Sequence, residues 1–336
     1  MSELSRRAQP IVSGKGTPVI EAVNLTKRYG DKTAVDDVTF QVMPGTVTGF
    51  LGPNGAGKST TMRMIVGLDH PTAGSVTVNG KPYAAHSAPL REVGVLLDAK
   101  AVHTGRSAYN HLRAMAATHG IPKRRVREVI ELTGLEQVAS KRVGGFSLGM
   151  GQRLGIAAAL LGDPKTLILD EPVNGLDPEG VKWVRTMVRY LASQGRTVFI
   201  SSHLMSEMSQ TADHLLVIGR GRIIASGPID EVIGSARQAT VRVVTPDPDR
   251  LSRRLREQGG QVTVLEPGRL EVTGLTHVQI GEIAAADGVT LHELTPMNAS
   301  LEDAYLSLTR DEVEYRSEMM TTTDPTTDRA TAEAER

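Results

Sequence analysis

Short apolar runs alternate with longer mixed segments along most of the chain between residues 19 and 227. Most runs are bounded by glycine, proline, asparagine or aspartate, which predicts strands, and the segments between them carry helical patterns. The predicted strands are residues 19–23, 33–42, 46–51, 76–78, 93–97, 166–169, 197–201 and 214–218, with a hairpin turn at 219–222. This alternation is typical of an α/β fold.

Two segments depart from this alternation. Residues 107–161 have a mainly helical pattern, which predicts a helical subdomain at about 98–161 within an α/β domain of residues 18–230. Residues 238–312 predict a small α+β domain with the order β-α-β-β-α-β. Its predicted strands are 241–244, 262–265, 270–273 and 289–294, and its predicted helices are 249–258, 278–286 and a last one at 300–308. We expect residues 1–17 to be flexible and the polar tail, 318–336, to be disordered.

Composition narrows the classes of function. The chain has 336 residues, of which 38 are basic and 38 acidic, so no basic excess favours a nucleic acid as partner. It has no cysteine, which excludes disulfides, thiolate chemistry and cysteine-based zinc sites. No stretch approaches 18 uninterrupted apolar residues, so we expect any membrane role to depend on a partner.

A phosphate-binding loop lies between the predicted strand 46–51 and a predicted helix at 60–68. Residues 52–59 read Gly-Pro-Asn-Gly-Ala-Gly-Lys-Ser and fit the pattern G-x-x-x-x-G-K-[ST] at every fixed position. The backbone of such a loop cradles phosphates, while Lys58 contacts the β- and γ-phosphates and the Ser59 hydroxyl contacts Mg²⁺. The predicted nucleotide-binding residues are Gly52, Pro53, Asn54, Gly55, Ala56, Gly57, Lys58, Ser59 and Thr60. ATP is favoured over GTP because no Asn-Lys-x-Asp motif follows.

Two carboxylates follow the apolar strand at 166–169. Asp170 is predicted to hold Mg²⁺, and Glu171 is predicted to polarise the attacking water as a general base. Acids at the carboxyl edge of a sheet, together with a phosphate-binding loop, indicate nucleotide hydrolysis.

Several segments resemble ATP-binding-cassette (ABC) ATPases. Residues 146–153, Phe-Ser-Leu-Gly-Met-Gly-Gln-Arg, are similar to the Leu-Ser-Gly-Gly-Gln signature, keeping Ser147 and Gly149 and departing at the other three positions. Residues 174–177, Asn-Gly-Leu-Asp, resemble the D-loop. His203 resembles the switch histidine, and Tyr29 resembles the aromatic residue that stacks on adenine. The resemblance covers residues 19–227 and implies a P-loop NTPase core of ABC type.

The resemblance also implies partners. Two such domains enclose two ATP molecules, so Ser147, Gly149 and Asp177 are expected to take part in nucleotide binding, with a second copy as the expected dimer partner. Lys58, Glu171 and His203 are the expected catalytic residues. The helical subdomain is expected to contact a separately encoded permease, which places the chain at the cytoplasmic face of the membrane.

Asp98 departs from the family pattern. The family usually has glutamine after the strand that residues 93–97 represent, and Asp98 is shorter by a methylene and charged, although its oxygens are suited to Mg²⁺. The Leu-Asp-Ala sequence at 97–99, with Arg106 and Asn-His-Leu at 110–112, resembles ATPases of bacterial antibiotic exporters of the daunorubicin-resistance type.

The leading hypothesis is therefore an ATP-hydrolysing subunit that powers export of a drug, an antibiotic or another small hydrophobic molecule. An alternative is a non-transport ABC ATPase acting on nucleic acid or ribosomes, which the single cassette and the absence of cysteine disfavour. A second alternative, a regulatory module that binds ATP but hardly hydrolyses it, is disfavoured by Glu171 and His203. Histidines 103, 111 and 119 are eight residues apart, about 12 Å along a helix, which is too far for one metal ion.

Overall fold

The computed structural model describes residues 16–99, 101–235 and 240–297. The predicted tail at 318–336, the predicted helix at 300–308 and most of the predicted flexible N-terminus lie outside these ranges.

The strands of the described residues closely follow the apolar runs. They are β1 (Ile20–Tyr29), β2 (Lys32–Val42), β3 (Val47–Leu51), β4 (Ala73–Val78), β5 (Val93–Leu96), β6 (Thr166–Leu169), β7 (Thr197–Ser202), β8 (His214–Gly219), β9 (Arg222–Pro228), β10 (Thr240–Val244), β11 (Gln261–Glu266), β12 (Arg269–Thr273) and β13 (Glu293–Met297).

The helices lie between these strands. They are α1 (Lys58–Ile65), α2 (Pro89–Glu92), α3 (Ala108–Thr118), α4 (Lys123–Leu132), α5 (Leu148–Leu160), α6 (Pro178–Ser193), α7 (Met205–Thr211), α8 (Ile229–Ser235), α9 (Pro248–Glu257) and α10 (His277–Ala286). None of the helices in the described ranges is long and apolar enough to cross a membrane.

The central sheet has the strand order β5-β6-β7-β3-β8-β9, with β9 antiparallel to β8 and the other pairs parallel. Every residue of β3, β6 and β7 is buried, as expected for parallel strands covered on both faces. Because these three strands are neighbours and parallel, the loops after them meet at one edge of the sheet.

A smaller antiparallel sheet, with the order β2-β1-β4, packs against the central sheet. Three phenylalanines join the two: the ring centroid of Phe40 lies 6.1 Å from that of Phe50 and 5.9 Å from that of Phe199. The rings of Phe50 and Phe199 are stacked at 5.3 Å. Apolar burial at this junction fixes β3 and β7, and therefore the loops that follow them.

The mainly helical segment predicted at 107–161 contains α3, α4 and α5. Their apolar faces bury Leu112, Val126, Val129 and Leu154 in the same core that covers one face of the central sheet. The start of α5 is thereby held close to the end of β6.

Residues 240–297 form a separate four-stranded antiparallel sheet with the order β11-β12-β10-β13. The elements from β10 to β13 follow the predicted β-α-β-β-α-β order, and α9 and α10 pack with the sheet around a core that includes Val243, Leu255 and Leu270.

Several predicted boundaries are wrong. The strand expected at 19–23 is β1, which continues to Tyr29, and the strand expected at 76–78 is β4, which already begins at Ala73. The helix expected at 60–68 is α1, which already begins at Lys58 and ends at Ile65, because the N–H of Leu68 turns back to the carbonyl of Arg63. The strand expected at 289–294 is β13, which begins only at Glu293. The N–H of Val289 instead donates to the carbonyl of Ala284 and closes the turn after α10.

Candidate functional site

The loop of residues 52–59 connects β3 to α1 and is tightly packed against its neighbours. Gly57 has a φ of +108°, and a Cβ atom there would lie 2.6 Å from the carbonyl oxygen of Ala34. A Cβ atom at Gly52 would lie 2.4 Å from the carbonyl oxygen of Ile218. The backbone therefore adopts a path that only glycine permits, and α1 begins directly after it, which is the geometry of an anion site.

Lys58 links this loop to the acidic residues after β6. Its side chain is buried, and Nζ donates to the carbonyl oxygens of Gly52 at 2.7 Å and Pro53 at 3.2 Å. Nζ also lies 3.2 Å from Oε1 of Glu171. Ser59, the next residue, is exposed at the second position of the helix.

Asp170 and Glu171 follow β6 and are fixed by a serine on the adjacent strand. The hydroxyl of Ser201 donates to Oδ1 of Asp170 at 2.5 Å and accepts the N–H of Glu171 at 2.9 Å. Both Asp170 and Ser201 are buried, so these hydrogen bonds are shielded from water.

The backbone of Glu171 has a φ of +47°, a strained conformation for a residue with a side chain. Its carbonyl oxygen accepts hydrogen bonds from Nε2 of Gln152 at 3.3 Å and from the N–H of Asn174 at 3.1 Å. With the Ser201 contact, three hydrogen bonds hold this strained residue in place.

The Glu171 carboxylate has a different cation or donor at each oxygen. Oε2 lies 2.8 Å from Nδ1 of His203, which follows β7, and Oε1 faces Lys58. A carboxylate accepts hydrogen bonds, so Nδ1 carries the proton in this pair. The structure thus brings together Lys58, Asp170, Glu171 and His203, which lie far apart in the sequence.

Ser147 and Asp177 both cap helices. The Ser147 hydroxyl accepts the N–H of Met150 at 3.2 Å at the start of α5, and the Asp177 carboxylate accepts the N–H of Gly180 at 2.8 Å at the start of α6. Ser147 is exposed, and Gly149 packs towards Leu176. Nucleotide contacts by Ser147, Gly149 and Asp177 stay predictions.

Tyr29, at the end of β1, is half exposed and held by its hydroxyl. The hydroxyl donates to Oδ2 of Asp69 at 2.8 Å, and Asp69 also accepts from Nε of Arg63 at 2.7 Å. Burial and the Asp69 carboxylate raise the pKa of Tyr29, whereas the positive charge of Arg63 lowers it. Nζ of Lys27 lies 5.1 Å from the ring centroid, within the range of a cation–π interaction.

Asp98 lies exposed after β5, and its carbonyl oxygen accepts the N–H of Ala101. His111 is half-buried on α3, where burial and Arg106 lower its pKa. His103 and His119 make local hydrogen bonds with Gly105 and Met115, respectively. Across the described ranges, no group of three or more His, Asp or Glu residues is placed to hold a metal ion.

Sequence reasoning missed Ser201, Gln152 and Asp69 as parts of the site. Ser201 stands beside the switch-histidine candidate in the segment Ile-Ser-Ser-His, which was the available signal. Gln152 and Asp69 stand in segments where nothing in the sequence marks their contacts.

Residues 35–174 match the family model described as ABC transporter, and residues 239–302 match a model described as a domain of unknown function. The bacitracin transport ATP-binding protein BcrA of Bacillus licheniformis is 42% identical over 217 residues, which are 64% of this chain and 71% of that protein. The Nod factor export ATP-binding protein I of Rhizobium sp. (strain N33) is 34% identical over 88% of this chain and 98% of that protein. A solved ATP-binding subunit of an ABC transporter is 28% identical, covers 65% of this chain and 92% of its own, and superposes with a TM-score of 0.59.

The chain belongs to the ATP-binding subunits of ABC transporters. The predictions of an ABC-type P-loop fold, of ATP hydrolysis and of a role in powering a membrane exporter are confirmed by these relatives.

Proposed function

We propose that the loop of residues 52–60 binds ATP with Mg²⁺ and that Glu171 is the base for its hydrolysis, which drives export of a small hydrophobic molecule, a drug or an antibiotic. One observation carries the proposal: at the carboxyl edge of the adjacent parallel strands β6, β7 and β3, the side chains of four residues lie close together. These are Lys58, Asp170, Glu171 and His203. Ligands of open α/β sheets bind at this edge.

The contacts of Glu171 fit the work of a base. Nδ1 of His203 donates a hydrogen bond to one oxygen of the Glu171 carboxylate and so orients it. A neutral histidine leaves the negative charge of the carboxylate in place. A nucleotide phosphate has to compete with Glu171 and with the carbonyls of Gly52 and Pro53 for the Lys58 ammonium. Binding of the β- and γ-phosphates to Lys58 therefore releases Oε1 of Glu171 to accept a proton from water.

The oxygens near the loop fit Mg²⁺. This ion keeps several waters and is held by one or two carboxylates together with substrate phosphates rather than by a cage of protein ligands. Ser59 and Asp170 supply a hydroxyl and a carboxylate beside the phosphate loop, and Asp98 is a further candidate oxygen donor after the neighbouring strand β5. Bound Mg²⁺ would neutralise charge on the phosphates.

The assembly is proposed as a homodimer on a separate permease, at the cytoplasmic face of the membrane. Ser147 and Gly149, at the N-terminus of α5, would contact the γ-phosphate held by the partner copy, where a helix dipole favours negative charge. A solved cassette that is 21% identical is described as dimeric and bound to ADP and Pi, a property of that protein. The helical segment α3–α5 would receive the permease.

The class of cargo is proposed from relatives. Their names refer to transport of bacitracin, transport of a lantibiotic and export of Nod factor. Cargo contacts would lie in the permease, so this chain would supply the energy of transport and not its specificity.

The test has two parts. Tagged protein, extracted from native membranes with mild detergent, should co-purify with a stoichiometric polytopic membrane protein, and recovery with ribosomes or DNA-bound proteins would instead favour a non-transport ATPase. Deletion of the gene that encodes this chain should lower the tolerance of the source organism to an exported compound. Wild-type protein should restore tolerance, whereas Lys58→Ala and Glu171→Gln should not.

A further inference from the structure

Leu148, the first residue of α5, lies directly over Gly175 in the loop between β6 and α6. A Cβ atom on Gly175 would lie 1.9 Å from Cδ2 and 2.6 Å from Cγ of Leu148, far inside the ordinary separation of carbon atoms. Leu148 therefore occupies the space that a side chain at residue 175 would need.

Two more contacts join α5 to the same loop. The buried Gln152 donates from Nε2 to the carbonyl oxygens of Glu171 and Asn174, each at 3.3 Å. A Cβ atom on Gly149 would lie 3.3 Å from Cδ2 of Leu176, so this pair is also closely packed. The start of α5 is thus fastened at three points to the loop that begins with Glu171.

Leu148 stands between Ser147 and Gly149, where the signature of the family has glycine. Its side chain is 50% exposed, so burial of an apolar group in the core does not account for leucine at this position. The leucine does fit the absence of a side chain at Gly175, because one residue fills the space that the other leaves.

We propose that Leu148 and Gly175 are a size-complementary pair of positioning residues that couples the signature segment to the loop of Glu171 within one subunit. The inference rests on the proposed function, since it assumes that Ser147 and Gly149 bind a partner's nucleotide. Displacement of the start of α5 then moves residues 171–177 with it. The γ-phosphate bound by one copy contacts Ser147 and Gly149 of the other copy. Through Leu148 and Gly175 it is thereby linked to Glu171 of that other copy, the base of the second site.

The test compares wild type with Leu148→Gly, Gly175→Ala and the double variant. Gly195→Ala is the matched control for backbone strain, because Gly195 has a φ of +79° and no atom within 4 Å of a built Cβ, while Gly175 has a φ of +73°. For each protein we would measure kcat and KM for ATP, ATP binding and the midpoint of thermal unfolding.

Gly175→Ala is expected to lower kcat by about 10- to 100-fold, because a displacement of about 1 Å in a catalytic group has an effect of this size. KM for ATP should change by less than about 3-fold, since the phosphate loop is untouched and KM follows ground-state binding. The double variant should recover kcat to within about 3-fold of Leu148→Gly, because the methyl group then has space. Gly195→Ala should keep the wild-type kcat.

A loss of kcat in the double variant equal to the product of the losses in Leu148→Gly and Gly175→Ala would overturn the pairing. A kcat for Gly175→Ala equal to that of Gly195→Ala would also overturn it. Leu148→Ala provides a second test if Gly175→Ala does not fold: it should lower kcat by about 5-fold at unchanged KM, and a wild-type kcat would contradict the proposal. Hydrolysis that is insensitive to Lys58→Ala would contradict the proposed function itself. Additive effects in an otherwise normal ATPase would contradict only the coupling.

Discussion

The hydroxyl of Ser201 donates a hydrogen bond to Oδ1 of Asp170, 2.5 Å away, where β7 runs beside β6. The Ser201 hydroxyl oxygen also accepts the N–H of Glu171, and this hydrogen bond supports the strained backbone of Glu171, whose φ is +47°. One buried serine therefore holds both the proposed metal ligand and the backbone of the proposed base.

Ser201→Ala should impair catalysis more than nucleotide binding. A hydrogen bond to a charged group contributes about 1.5–3 kcal/mol, so we expect kcat to fall by about 10-fold or more and the Mg²⁺ concentration for half-maximal rate to rise. Steady-state ATPase measured across Mg²⁺ concentrations checks this. Ser202→Ala is the control, because Ser202 is buried on the same strand and its hydroxyl accepts the N–H of Leu204, with no hydrogen bond to Asp170 in the part of the chain that the structure describes. Equal effects of the two variants would show that Ser201 has no special link to Asp170.

Glu171→Gln should abolish turnover while ATP still binds. Removing a general base lowers rates by about 10²- to 10⁴-fold. The change also removes the ion pair with Lys58, so nucleotide affinity should be equal or higher, and a dimer should form in ATP on size-exclusion chromatography. Near-normal hydrolysis by the purified variant would remove Glu171 from this role.

The sequence predicts the strands well because buried parallel strands are short apolar runs that end in glycine or aspartate, as at β3 and β6. It predicts Lys58 because the phosphate-binding loop has a fixed residue pattern, and it predicts Asp170 and Glu171 because nucleotide hydrolysis requires carboxylates directly after a strand. It does not predict Ser201, Gln152 or the Leu148–Gly175 contact, since each depends on a partner far away in the chain. The local sequence around a serine or a glycine does not indicate which distant residue it contacts.

Tyr29→Ala should raise KM for ATP by about 5-fold or more with little change in kcat, because base–aromatic stacking contributes about 1–3 kcal/mol in nucleotide-stacking sites. Tyr29→Phe separates the ring from the hydroxyl. The ring is kept and only the hydrogen bond to Asp69 is lost, so its KM should stay near that of wild type. Equal KM values for wild type and Tyr29→Ala, measured by initial rates, would contradict adenine stacking at this residue.

Asp69→Asn should lower the thermal midpoint at pH 7 but not at acidic pH. The hydrogen bond from Arg63 holds the pKa of Asp69 below its usual value, so the folded state favours the charged carboxylate. This stabilisation is present above the unfolded pKa, about 3.9 for aspartate, and is lost as the pH falls through the lowered folded pKa. The difference in midpoint between wild type and Asp69→Asn, measured by circular dichroism from pH 7 to pH 2.5, should therefore shrink with acidification. A difference in midpoint that stays constant across this pH range would show that the ion pair of Asp69 with Arg63 contributes nothing to stability.

Asp98 provides a test of coupling to the permease, because it follows β5 at the beginning of the helical segment. Three substitutions separate charge from length: Asp98→Asn removes the charge, Asp98→Glu adds a methylene, and Asp98→Gln does both. In the family, the loop after this strand is expected to link the helical subdomain to the permease. If Asp98 occupies this linking loop, Asp98→Gln should change the stimulation of ATPase by the reconstituted permease more than the affinity for ATP. If oxygen ligation of Mg²⁺ is its main role, Asp98→Glu should preserve the Mg²⁺ dependence that Asp98→Asn weakens. ATPase assays with and without permease, together with nucleotide titrations, distinguish the two, and a change in affinity alone would contradict the placement of Asp98 in the linking loop.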